Sequence, residues 1–253
     1  MSQSARATLT TGPINATLIR LTIPMIFGIF SMVAFNLVDT FFVGRIGTDS
    51  LAALSFTLPV VLVLGAIGMG VSMGASAVIS RAIGEGDQRK VQRLTVDSLV
   101  LGTLFAGVFV LIGFLTVDPL FRLLGAKGEV LEMTKVYMNI WYAGVIFVMV
   151  PFVGNSAIRA NGDTRTPALI MMSMVVLNIV LDPILMFGLG PIPALGLAGA
   201  AIATVIARAI SLVVGIWVLF RMNMMTREVP PLAQLWQSWK AILRIGLPAA
   251  ATN

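Results

Sequence analysis

Two carboxylates sit where charges are costly to place. Asp39 lies inside the apolar stretch Ile19–Gly47, and Asp182 lies inside another, in the run Asn178-Ile-Val-Leu-Asp182-Pro183. A carboxylate in the hydrocarbon region of a bilayer costs at least ~2.5 kcal/mol on insertion scales, so an intramembrane Asp is read as a functional group facing a cavity. Asn178 and Asp182 are four residues apart and share one helix face. Pro183 leaves the carbonyl of Ile179 without its usual partner and adds to that polar face. Asp39 falls about five residues from the outer end of its span and Asp182 about seven, so both are expected roughly 7 to 11 Å below the outer boundary. Thr204 and Tyr137 fall in the same layer, whereas Asn155 falls near the inner end. Two carboxylates close together away from water cannot both stay ionised cheaply, so the pair is expected to hold a proton or a cation. Oxygen ligands from Asp39, Asn178, Asp182 and Thr204 would suit Na⁺ as well as H⁺, and the residue types do not choose between them.

The elements that must position these groups are membrane spans. Only 11% of residues are charged, 58% are hydrophobic and the mean hydropathy is +0.97, which places the chain far from soluble usage and makes it an integral membrane protein. At roughly 20 apolar residues per span, six spans are expected near 18–43, 52–80, 94–117, 131–157, 167–188 and 196–220, with a seventh beginning near 241. The fold class is therefore an all-α integral membrane protein, a six-helix transmembrane bundle plus the start of a seventh helix. Pro24 and Gly28 are expected to weaken or bend the first span near its start.

The net charge of +6 does not point to nucleic acid, because the basic residues lie in short gaps between apolar runs. The gaps on one side hold clusters such as Arg81, Arg89, Lys90 and Arg93, and the other side holds Arg45, Arg122, Lys127 and Lys135. That bias puts the N-terminus in the cytoplasm of a multi-pass protein of the plasma (inner) membrane. No apolar signal core precedes Leu18, so the first hydrophobic segment is expected to remain as a span. Arg208, inside the sixth span, is read as snorkelling toward the inner end or pairing locally. With no Cys and no His, thiol nucleophiles, imidazole bases and the common zinc ligands are absent, and no nucleophile has an evident base. The expectation is a non-enzyme that needs no cofactor beyond a coupling ion, H⁺ or Na⁺.

Between the sixth span and the seventh, Leu232, Leu235, Trp236 and Trp239 recur at helical spacing and are read as a short amphipathic connector at the inner interface. The segment Arg81–Arg93 is read as a solvated turn. Ile242-Leu-Arg-Ile-Gly-Leu-Pro248 echoes Leu18-Ile-Arg-Leu-Thr-Ile-Pro24, with Arg244 falling where Arg20 does and Pro248 where Pro24 does. An even number of spans lies between them, so the echo suggests parallel repeats about an axis along the membrane normal. The expected organisation is a cytoplasmic tail at 1–17, a six-helix lobe at 18–221, a connector at 222–240 and the start of a truncated second lobe at 241–253.

Four stretches carry a resemblance to a known family: FNLVDTFFVGRIGTDSLAALSFTLPV, RAIGEGD, RANGDTRTPA and NIVLDPILMFGLG. Together they resemble the multidrug and toxic compound extrusion (MATE) transporters, and the Asp in the fifth span beside Asp39 resembles the DinF-like branch more than the NorM branch. The resemblance implies two six-helix lobes around a V-shaped cavity, of which this chain supplies the N-terminal one. It implies secondary active efflux of amphipathic, often cationic, drug-like compounds in exchange for H⁺ or Na⁺. It further implies that Asp39, Asn178, Asp182, Tyr137 and Thr204 match the coupling-ion network, and that Pro24 matches a proline hinge in the first helix. Family members are about twice as long, so the second lobe or another copy is an expected partner, together with the lipid bilayer. The alternatives are a lipid-linked precursor flippase, which would want a larger cationic groove, and a non-transporting membrane subunit, which would need no buried carboxylates.

Overall fold

The computed structural model describes residues 14–226 and 232–252. Among these residues there is helix and short connection only: α1 (Ile14–Ile46), α2 (Thr48–Gly84), α3 (Gln88–Leu123), α4 (Gly128–Ala143), α5 (Ile146–Ala160), α6 (Arg165–Phe187), α7 (Leu197–Arg221) and α8 (Leu232–Ala251). Long apolar runs adopt helix because a lipid-facing backbone must satisfy its own polar groups within the segment. Five of these helices, α1, α2, α3, α6 and α7, are long and apolar enough to cross a membrane. The tail at 1–13 and the Pro230–Pro231 opening of the connector lie outside the described residues.

The fourth expected span is not one straight helix. It divides into α4 and α5, bent by 47°. At the break Gly144 packs so closely on Val205 of α7 that a Cβ there would stand 2.4 Å from its Cγ2. Beyond it, Val145 and Phe147 donate to residues three back, a tight turn that redirects the axis. The bent pair taken as one span would be a sixth.

The helices also run past the expected hydrocarbon limits, since charged flanks continue them into water. α3 begins at Gln88, where the Asp87 side chain accepts the Lys90 N–H at 3.0 Å, and Lys90 Nζ reaches Glu85 at 2.6 Å. The Gln88 amide donates to the Asn223 carbonyl at 2.7 Å, tying this turn to the end of α7. These contacts mark the end of the bundle that carries the chain's start, called here the amino end. At the far end, Asp118 gathers Arg122 at 2.7 Å and Lys135 at 3.1 Å.

The boundary expected between 240 and 241 does not coincide with a break in helix, because α8 runs through it. The reason is a continuous buried stripe, Leu235, Ser238, Ile242 and Gly246, at spacings of three and four. Leu232 and Trp236, expected on the apolar face, are exposed. α8 packs on α2 backbone to backbone. A Cβ on Gly74 would stand 2.2 Å from the Ile242 carbonyl oxygen, and one on Gly70 would stand 2.5 Å from that of Gly246. Two core clusters fill the bundle, one around Leu64, Met138, Tyr142 and Met149 toward the far end and one around Ile79, Leu94, Ile158 and Ile242 toward the amino end. α1 packs chiefly on α6 and leaves Phe30 and Leu37 exposed on its outer side.

Candidate functional site

The polar residues expected to share one layer are held by four different helices. Asp39 comes from α1, Tyr137 from α4, Asn178 and Asp182 from α6, and Thr204 from α7. All five are buried; Asn178 and Asp182 have no exposed surface and Asp39 retains 8%. The four-residue spacing on α6 does what the helix geometry requires: Asn178 Nδ2 donates to Asp182 Oδ1 at 3.1 Å and also points at Thr204 Oγ1, 3.5 Å away. α6 continues through Pro183 to Phe187.

What is left over defines the chemistry. Asp39 Oδ1, Asn178 Oδ1 and Asp182 Oδ2 are buried oxygens with no hydrogen-bond partner. Buried acceptors are normally satisfied, so three orphaned oxygens on neighbouring helices form a place that a proton, a cation or an ordered water would fill. Asp39 and Asp182 lie within electrostatic range of each other, and Tyr137 faces both. Among the described residues no three His, Cys, Asp or Glu side chains come together. A cation in this layer would be held by two carboxylates with an amide and a hydroxyl, a hard oxygen set suited to Na⁺.

Arg208 was missed as a member of the site. Instead of snorkelling to the helix end, it stands one turn inward from Thr204 on α7, within electrostatic range of Asp39 and Tyr137. Its guanidinium lies over the Phe35 ring, 5.9 Å from the centroid. Phe35 is one turn from Asp39 on α1, so the faces Phe35–Asp39 and Arg208–Thr204 meet in register. The spacing of Thr204 and Arg208 carried this signal in the sequence. Asp97 was also missed, a fully buried carboxylate on α3 near the amino end whose two oxygens have no hydrogen-bond partner.

Other expected positions lie apart from the layer. α1 is continuous through the half-buried Pro24, and Gly28 one turn on packs against Ala168 and Met171 of α6. Asn155 lines a small cleft of about 10 Å³ between α5 and α7, with Gly215 and Leu219. A wider cleft of about 300 Å³ lies at the amino end, bounded by Leu21 and Gly162–Arg165. There Asp163 accepts the N–H groups of Arg165 and Thr166 and so starts α6, a structural task for the RANGDTRTPA motif.

The chain is 36% identical to the FAD transporter of Shewanella oneidensis over 97% of its own length and 54% of that protein's. It is 31% identical to the probable multidrug resistance protein NorM of Thermotoga maritima, covering 95% of itself and 52% of the relative. The chain thus spans about half the length of the curated relatives it matches. Among solved structures, a multidrug resistance MATE transporter of the MOP superfamily in an outward-facing conformation superposes with a TM-score of 0.87 at 31% identity, over 99% of this chain and 55% of that one. A MOP superfamily transporter from Pyrococcus furiosus, described by the reverse polarity of its binding pocket, gives 0.86 at 31%, over 99% of this chain and 55% of that one. The MatE family model matches residues 24–184, and with these relatives it shows that the chain belongs to the MatE family of membrane transporters.

Proposed function

We propose that this chain is the N-terminal six-span lobe of a secondary active exporter, and that Asp39, Asn178, Asp182, Tyr137 and Thr204 hold its coupling ion, H⁺ or Na⁺. The observation that carries the reading is the set of three orphaned oxygens from α1 and α6 in one buried layer. Taking up a proton or Na⁺ satisfies them and removes charge from the layer; releasing it leaves two carboxylates that repel. α1 is the element free to respond, since it is fixed mainly to α6, and Pro24 supplies the hinge. Alternating access then needs a second lobe, or another copy, rocking against this one in the plasma membrane with the N-terminus in the cytoplasm.

For the cargo, relatives named for multidrug resistance and multidrug export favour drug-like compounds, and the family resemblance adds that these are amphipathic and often cationic. A second reading, a flavin dinucleotide, is favoured by the FAD transporter and by a guanidinium beside the carboxylates. The test is ethidium efflux from proteoliposomes containing the full-length protein under an inward H⁺ or Na⁺ gradient. Asp39→Asn should reconstitute normally and lose gradient-driven efflux. Efflux that is unchanged in this variant would remove Asp39 from the coupling site.

A further inference from the structure

Three formal charges meet in the far layer, and they do not cancel. Asp39 on α1 and Asp182 on α6 bring two negative charges, Arg208 on α7 brings one positive charge, and the Tyr137 phenol on α4 is neutral at ordinary pH. α2, α3 and α5, which also pack on these helices, add no charged group within range of them. The sum is one negative charge. An unbalanced charge away from water is costly, so the layer is short of one monovalent cation. Nor is the balance shared evenly. The guanidinium acts on Asp39 and Tyr137, whereas Asp182 feels Asp39 and the Asn178 amide but not Arg208. Helix register accounts for this: Phe35 is one turn from Asp39, and Arg208 lies over the Phe35 ring, 5.9 Å from its centroid, on the α1 side of the layer. Among the described residues Arg208 forms no ion pair, and its Nε is buried without a hydrogen bond, so it balances Asp39 by charge at a distance rather than by a fork of donors. Two of the three orphaned oxygens, Asn178 Oδ1 and Asp182 Oδ2, lie on α6.

We infer that Arg208 is a built-in counter-cation for Asp39, so that this lobe takes up a single monovalent cation, H⁺ or Na⁺, and takes it on the α6 side, at Asp182 and Asn178. This deepens the coupling reading proposed above and rests on it. Two carboxylates alone would call for two cations; the guanidinium supplies one of them permanently and leaves one place to be filled and emptied. Removing the guanidinium leaves two negative charges, and the first ion then binds more tightly. Removing one carboxylate leaves a layer that is neutral without any ion, and uptake is lost although a carboxylate remains. Removing one carboxylate together with the guanidinium restores the single negative charge and, with it, the demand for one ion. Arg208 thereby sets the number of ions and the strength of their binding without touching the ion, as a positioning residue that acts through its charge.

The test counts ions bound by the full-length protein in detergent, Na⁺ by equilibrium dialysis with radioactive sodium and H⁺ by dye after a pH jump. Counts are taken relative to the Asp39→Asn, Asp182→Asn double variant, so that sites elsewhere in the protein cancel. Wild-type protein should take up one ion more than that variant, and Asp39→Asn should take up none. Asp39→Asn combined with Arg208→Gln should regain one ion, and Arg208→Gln alone should bind its first ion about ten-fold or more tightly than wild type. A second substitution that restores uptake separates a role in charge balance from a merely structural one, and Arg208→Met takes the place of Arg208→Gln if the latter does not fold. The inference is overturned if wild-type protein takes up two ions, if the folded Asp39→Asn, Arg208→Gln variant takes up none, or if Arg208→Gln keeps wild-type affinity; the coupling site would survive each of these results. Equal counts in wild-type protein and the double carboxylate variant would remove the coupling site, and this inference with it.

Discussion

Two regions of this lobe bury carboxylates, and they do so differently. In the layer toward the far end, Asp39 and Asp182 are brought together across α1 and α6 among an amide, a hydroxyl, a phenol and a guanidinium. Near the amino end, Asp97 is a single carboxylate on α3, within electrostatic range of Arg93 and with no second carboxylate beside it. Its main-chain carbonyl accepts the Trp239 indole N–H at 2.9 Å, and Ser238 lies beside its side chain without a well-formed hydrogen bond. Arg93, one turn before it, donates to Gln234 of α8 at 3.1 Å while its charge still acts on Asp97. On the proposed reading the first region has charges that change partners when an ion arrives, whereas the second fastens α8 onto α3. Burial and orphaned oxygens are common to both, so what separates a coupling site from a fastening is the company the carboxylate keeps.

This contrast can be broken in several ways. The largest effect is expected from Gly74→Leu, whose side chain must displace the α8 backbone at Ile242; a loss of about 3 kcal/mol or more should appear as a collapse of folded yield and thermal stability. Normal stability would mean that α8 is not fixed to α2 as described. Asp182→Asn is expected to preserve folding but reduce gradient-driven efflux to background, and efflux at wild-type rates would exclude a coupling role. Trp239→Phe deletes one hydrogen bond to Asp97 and should cost about 1 kcal/mol of thermal stability with the ion response intact. Asp97→Asn should have the smallest effect, within about 1 kcal/mol and with unaltered ion dependence. If Asp97→Asn instead shifted ion dependence as Asp39→Asn does, the two regions would be functionally one.

Much of the far layer was legible in sequence because helix geometry is local. The four-residue spacing of Asn178 and Asp182 fixed a shared face, and depth counted from the ends of apolar runs placed Asp39 beside them. What was not legible depended on contacts between distant segments. The bend between α4 and α5 arises where Gly144 meets Val205, and the unbroken course of α8 arises from its close packing on Gly70 and Gly74. In sequence Arg208 is open between snorkelling to the inner end and local pairing, because an isolated Arg in an apolar run has both resolutions. Only the position of Phe35 and Asp39 on another helix selects the interior. Asp97 escaped notice because it sits among the charged residues at the start of α3, where a solvated carboxylate is the ordinary reading.

The most direct test of the central claim is ion uptake itself. Purified full-length protein in detergent, without any gradient or cargo, is titrated with Na⁺ and, separately, subjected to a pH jump with a proton-sensitive dye. Comparison is made with the Asp39→Asn, Asp182→Asn double variant. Wild-type protein is expected to take up one of the two ions, and the double variant, folded to the same thermal stability or better, to take up neither. Equal uptake by both proteins would contradict the central claim and place the coupling ion elsewhere.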